Sequence, residues 1–558
     1  MYNILIGGAA GQGIDTAVNI LEKLLKKSGY FVFTIRDVMS RVRGGHNFSI
    51  IRFGNEVMNS HSNHYDGIIA LNEETIKLHK GHLNKNGFIL CDSKIATNDP
   101  LAIQLNMDKM AKELGNIRVS NSIAIGAILK LFGESMDHAE EVMKTSVKEP
   151  YIDMNIKAIK LGFDSVDARF KHIDGDYSSW MMLSGNNALA LGAMAAGLRF
   201  YSAYPMSPST SIMEYLASKS QEAEIVVEQA EDEIAAINMA IGASFAGARA
   251  MTGTSGGGFC LKVEALGLSG IAEIPLVVVD VQRPGPATGL PTRTEQSDLK
   301  FVISAAQGEF PRMVIALRDH KDAFYQTIRA FQIAEKYQIP VILLSDQYLG
   351  DSTKSVEPFS MEDIPLEEME KSDETDSDYL RYQITKDGIS KRLIPGKTKN
   401  FVTADSDEHD ERGFITESAK VRVDMMDKRM RKLVKLEEEL IEPWVLGEES
   451  CDILLVGWGS TYGPIEEAVQ VLNKNHKEKY GALIFGDIYP FPKKRLEEMA
   501  SKVEQVINVE QNATGQLADL IREQTGIICS SSILKYDGRQ ISGEEIIEKL
   551  SGGVLDEQ

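Results

Sequence analysis

An α/β fold spread over several domains is predicted by three observations. Strand-length apolar runs alternate with stretches of helical spacing, glycine turns stand directly after strands at two places, and 558 residues exceed what one hydrophobic core serves. A chain of this length divides into roughly three or four domains.

The alternation begins at once. Asn3 to Ile6 reads as a strand, Gly7 to Gly13 as a glycine turn, and Ile14, Ala17, Val18, Leu21, Leu24 and Leu25 as the apolar stripe of a helix. Further strands are expected at Phe31–Ile35, Phe48–Phe53, Gly67–Leu71 and Gly87–Cys91, which makes 1–178 an α/β domain. The second domain, 179–350, carries an Ala/Leu/Gly/Met helix, a strand ending at Tyr204, and two strands, Pro275–Val281 and Ile339–Ser345. These two are apolar on both faces, as central parallel strands are. Periodicity then collapses, so 351–442 reads as an acidic connection bearing one exposed, charged helix between Val421 and Leu440. A last α/β domain, 443–558, opens on the strand Asp452–Val456 and the turn Gly457-Trp458-Gly459-Ser460.

Composition narrows the function classes. Sixty basic against 81 acidic residues leave a net charge of −21, which argues against nucleic acid or an anionic membrane as partner. No apolar run reaches the roughly 20 residues that span a bilayer, and no signal pattern is seen, so a cytoplasmic location is expected. Cys91, Cys260, Cys451 and Cys529 form no CxxC pair, hence no iron–sulfur or zinc site is expected in this chain.

Two features of the first domain have alternative readings. The spacing Gly8-x-Ala10-x-x-Gly13 suits a phosphate at a helix N-terminus, but it departs from the dinucleotide fingerprint and close helix–strand packing explains it equally. Arg41 and Arg43 beside Gly44-Gly45 form either an anion or partner patch or a surface turn. A Rossmann-type nucleotide-binding oxidoreductase and a non-catalytic assembly subunit are the readings that rest on these.

The second domain carries the sharper signal. Pro205 and Pro208 stiffen a loop after a strand and direct Ser207 between them. Glu231, Asp232 and Glu233 are expected in a first helical turn, where negative charge complements the helix dipole. Glu233 also falls on the face of Ala236, Ile237, Ala240, Ile241 and Ser244, which should pack inward. A carboxylate there needs a hydrogen-bond partner or a proton. Gly253-Thr254-Ser255-Gly256-Gly257-Gly258 follows, open to close approach by a ligand or another backbone.

Ala203 to Thr210, the Glu233 helix with Gly253 to Gly258, Gln282 to Thr292, and Val456 to Thr461 together resemble the α subunit of the 2-oxoacid:ferredoxin oxidoreductases. Gly8 to Gly13 with Ser40 to Asn47 resembles the γ domain that some members carry fused at the N-terminus. The resemblance implies a γ-type domain, a pyrimidine-binding-type domain and a transketolase C-terminal-like domain. It further implies that this chain grips the aminopyrimidine of thiamine diphosphate. The diphosphate, its magnesium and an iron–sulfur cluster would then lie on a β subunit, in a dimer of αβ units that reduces ferredoxin.

By the same resemblance, Glu233 bonds the pyrimidine ring nitrogen and favours the imino tautomer, within a dry pocket that Tyr204, Pro205, Thr254 and Ser255 help to line. Ser207, Arg283, Arg293 and Thr288 face the substrate, Arg283 pairing with its carboxylate. The implied reaction is oxidative decarboxylation of a 2-oxoacid, 2-oxoglutarate being favoured, with coenzyme A as co-substrate accepting the acyl group. The chain departs from the family pattern at Met206-Ser207, where Ile-Thr is usual, at Asn187, where Glu is common, and at Ala287, where Ser is frequent.

Overall fold

The apolar alternation becomes three sheets in a computed structural model, which describes residues 1–40, 44–362, 364 and 379–551. The Arg41/Arg43 patch and nearly all of the acidic tract 361–378 lie outside the described residues. The chain forms two compact units. One comprises 1–183 with 351–358 and 542–544, and the other comprises the remainder.

In the first unit the strand Tyr2–Ala10 lies inside an eight-stranded mixed sheet, parallel to Tyr65–Ala70 and antiparallel to Gly44–Gly54. Ile4, Ile6, Val18, Leu21 and Leu25 join its core, so the helical stripe expected at Ile14–Leu25 is the buried face of Ile14–Lys27. The glycine turn is built for packing. A Cβ on Gly8 would strike Gln12 Oε1 and Leu71, and Gln12 Oε1 itself accepts from Ala9 N at 2.6 Å. Gly13, at φ 77°, lies in the left-handed region that favours glycine. Beside it is a cavity of about 460 Å³ lined by Gln12, Thr16, Asp92, Lys94, Arg118 and Asn121, among others.

The second unit holds a seven-stranded sheet in the order Asp487–Tyr489, Met313–Ala316, Pro340–Asp346, Leu276–Gln282, Ala250–Thr254, Phe200–Ala203, Val226–Gln229. Leu276–Gln282 and Pro340–Asp346 are parallel neighbours and wholly buried, which is why both are apolar on both faces until the polar residues Asp280, Gln282, Ser345 and Asp346 toward their C-terminal ends. A five-stranded sheet centred on Ile453–Trp458 completes the unit.

Two expectations about organisation are corrected. The segment after Gly350 is not a plain connection with an exposed helix: Thr353–Val356 pairs antiparallel with Phe31–Asp37, and the helix Ala419–Glu438 buries Met425, Lys428, Arg429, Lys432 and Leu436. Charge on that face looks solvated in the sequence because its counter-charge is far away. Lys428 and Lys432, one turn apart, meet Glu273 at 2.6 and 2.5 Å with every side chain buried. The C-terminal segment also shares its unit with 184–350, since Asp487–Tyr489 extends the seven-stranded sheet and Gln296 Nε2 donates to the Trp458 carbonyl at 2.8 Å.

Candidate active site

The acidic stretch before Ile234 sorts its carboxylates by backbone position. Glu228 lies in the edge strand Val226–Gln229, and Glu231 precedes the helix. Asp232 is the N-cap, its Oδ1 accepting from Ala235 N at 2.8 Å, so it serves the orphan amides of the first turn. The expected first turn of three acids is therefore one acid. Glu233 begins the helix Glu233–Phe245 and turns inward with Ala236, Ile237, Ala240, Ile241 and Ser244, leaving it 3% exposed. Its Oε1 has no hydrogen-bond partner among the described residues. A buried acceptor left open costs roughly 1–3 kcal/mol unless something fills it.

The helix Gly256–Ile271 shapes the floor beneath that carboxylate. A Cβ on Gly258 would come within 2.6 Å of Glu233 Oε1 and against Thr254 Oγ1, so only glycine leaves room for both. Thr254 Oγ1 is buried and reaches Met206 Sδ at 3.9 Å, which joins the proline loop to the same pocket. Ser255 occupies the N-cap position of this helix but makes no side-chain cap, and its buried Oγ lacks a partner among the described residues. Glu233, Thr254 and Met206 are thus brought together, with Ser255 next in the chain and, among the described residues, Glu233 Oε1 and Ser255 Oγ left open.

The loops around the pocket hold the other candidates. Asn186 Nδ2 donates to the Pro208 carbonyl at 2.9 Å, and Ser209 Oγ to that of Met206 at 2.8 Å. Both fix the loop that exposes Tyr204 and Ser207, Pro205 being half-buried. Arg283 Nη1 donates to the Ser207 carbonyl at 2.6 Å, so these two candidates are neighbours, although through backbone. Partial burial pulls the Arg283 guanidinium down from its ordinary range. Thr288 is exposed on the same loop, and the Ala287 carbonyl approaches Gly257. Arg293 lies further along, its stem packed against Gly538.

Several groups here escaped the sequence reading. Lys262 is fully buried, its Nζ donating to Thr252 Oγ1 at 2.9 Å and to the Glu233 carbonyl at 3.2 Å. Asp280 is fully buried in its strand with both oxygens open among the described residues, and Asp298 is half-buried near Gly256. Burial, then repulsion from Asp298, drives Asp280 well above the carboxylate range, while burial followed by the charge of Glu295 lifts Asp298 to about 6. The signal for Lys262 was present, because a lone lysine shares the apolar face of Gly258, Phe259, Ala265 and Leu266.

Comparison with known proteins bears on this arrangement. Family models for the pyruvate ferredoxin/flavodoxin oxidoreductases match residues 3–165, 191–428 and 451–546. The middle one is described as thiamine diphosphate-binding and the last as core domain II. A 2-oxoacid:ferredoxin oxidoreductase α subunit from Sulfolobus is 33% identical over 98% of this chain and 96% of its own length. The chain belongs to the α subunits of the 2-oxoacid:ferredoxin oxidoreductases. As a member it is part of an enzyme of that thiamine-dependent family, and the α/β multidomain fold expected of it is the one found. A solved 2-oxoglutarate:ferredoxin oxidoreductase from Magnetococcus marinus, with 2-oxoglutarate, coenzyme A and succinyl-CoA bound, superposes with a TM-score of 0.92. It is 31% identical and 99% of each chain is covered. A Mycobacterium tuberculosis 2-oxoglutarate oxidoreductase subunit is 32% identical over 77% of this α chain and 67% of its own length. No described helix is long and apolar enough to cross a membrane.

Proposed function

We propose that this α subunit supplies the pyrimidine side of a thiamine diphosphate site that oxidatively decarboxylates 2-oxoglutarate. The observation that carries the reading is the open, buried Glu233 Oε1 above the Gly258 notch. The donor set fits an aminopyrimidine, with one buried carboxylate oxygen for a ring nitrogen, the Thr254 hydroxyl at the same notch, the open Ser255 hydroxyl next in the chain, and glycines that admit a flat ring. When bound, thiamine diphosphate would supply the carbanion for the keto carbon and an electron sink for the bonding pair left behind as carbon dioxide departs.

The protein groups have separate tasks. Glu233 holds or yields a proton at the pyrimidine ring nitrogen, and its apolar surroundings keep water from competing. Arg283, anchored by one nitrogen to the Ser207 carbonyl, keeps its remaining N–H groups for the substrate carboxylate, with the Ser207 hydroxyl and Thr288 alongside. The substrate preference rests on the ligands bound in the Magnetococcus relative, as does coenzyme A as acyl acceptor.

Half of the site is assigned to a β subunit carrying the diphosphate, magnesium and iron–sulfur cluster, from which ferredoxin takes electrons. Support comes from this chain's own inventory: four separated free cysteines and, among the described residues, no cluster of three metal-ligating side chains. Exposed Ile234, Met239 and Leu261 on the two helices that frame Glu233 suit such a partner. A dimer of αβ units in the cytoplasm completes the assignment. The test is co-expression with the cognate β chain. Coenzyme A-dependent viologen reduction is expected with 2-oxoglutarate and to fall at least 100-fold in Glu233→Gln, an order of magnitude typical of a lost acid–base group. Wild-type turnover by that variant would end the assignment.

A further inference from the structure

We propose that Lys262 is a positioning residue for Glu233, holding the start of its helix through the backbone while its charge acts on the carboxylate. The inference rests on the reading of Glu233 above. Burying an ammonium is costly unless its protons are placed, and Lys262 places two, on Thr252 Oγ1 and on the Glu233 carbonyl. Thr252 belongs to the strand Ala250–Thr254, Glu233 to the helix Glu233–Phe245, and Lys262 to the helix Gly256–Ile271, so one nitrogen joins three elements at the residue that matters.

The same helix face acts twice. Gly258 and Lys262 are four residues apart and therefore lie on one face. Gly258 leaves the notch that receives the Glu233 side chain, and Lys262 fixes the backbone carbonyl of the residue that bears it. A packing role needs only the methylenes of Lys262, since an aliphatic residue would fill the space. The ammonium is explained by what it holds. Glu233 and Asp232 are the charges that act on it, and both favour its cationic form against the burial that lowers it to about 8.

The experiment uses the αβ holoenzyme and reads deuterium exchange at the thiazolium C2 of bound thiamine diphosphate by NMR, alongside kcat, KM and melting temperature. Lys262→Met keeps the length and removes the charge and donors. Exchange and kcat are expected to fall about 10- to 100-fold, the scale of a sub-ångström misplacement, with cofactor affinity and KM within about threefold. Lys262→Gln, which retains a donor, should fall between. Exchange in the unmutated holoenzyme should also decline as pH rises through about 8, where the ammonium discharges. Wild-type exchange in either folded variant overturns the proposal, and so does a flat pH profile from 7 to 10 should neither variant fold. Loss of exchange in Glu233→Gln with none in Lys262→Met refutes only the lysine role. Persistence in Glu233→Gln refutes the underlying reading.

Discussion

Gly258→Ala tests the geometry of the pocket with one methyl group. The added Cβ would stand 2.6 Å from Glu233 Oε1 and 2.9 Å from its Cγ, and would crowd Thr254 Oγ1 as well. An ordinary contact starts near 3.4 Å, so the carboxylate must retreat by about 0.8 Å, the difference between the two distances. Displacement on that scale costs on the order of 100-fold in rate when the group must meet a reacting atom. Overpacking adds about 1–3 kcal/mol of destabilisation, of which alanine's helix preference over glycine returns roughly 0.5–1 kcal/mol. Gly267→Ala on the same helix is the control, because its Cβ would meet only the Gln307 side chain at 3.5 Å. Viologen reduction by the reconstituted αβ enzyme and urea unfolding of both variants provide the comparison. If Gly258→Ala keeps the rate of Gly267→Ala, the notch does not position the carboxylate and Glu233 is not the acid–base group of the site.

Glu273→Gln should destabilise the unit by about 3–5 kcal/mol in urea unfolding, because it leaves Lys428 and Lys432 buried without their counter-charge. Burial pushes Glu273 up, but Lys432 and Lys428 hold it well below the usual carboxylate range. Its contribution is therefore full above about pH 4.3 and is lost as the pH falls below that, which acid titration of stability should show. Asp346 has the opposite sign. Burial, only partly offset by bonds such as Leu349 N to its Oδ1, raises it to about 6. The folded state thus holds a proton that the unfolded chain has released, and stability should decline by roughly 3 kcal/mol between about pH 4 and 6, a slope that Asp346→Asn removes. Arg283→Lys should raise KM for the 2-oxoacid at least about tenfold in steady-state assays, since a lysine cannot keep the Ser207 carbonyl and fork a carboxylate together.

The sequence by itself determined the elements and their class. Buried parallel strands such as Leu276–Gln282 must read as largely apolar on both faces, and the inward face of Glu233 follows from helical spacing, which is a local property of the chain. Even Asp232 as a cap obeys a local rule, although the helix starts two residues later than the acidic run suggests. What only the tertiary structure decided is where charge finds its counter-charge. Lys428 and Lys432 look solvated until Glu273, some 155 residues earlier, is folded against them. Lys262 stands out as a lone lysine on an apolar helix face, but its partners, Thr252 and the Glu233 carbonyl, meet it only in the fold. Desolvation and Coulomb attraction depend on distance in space rather than along the chain, so no periodicity records them.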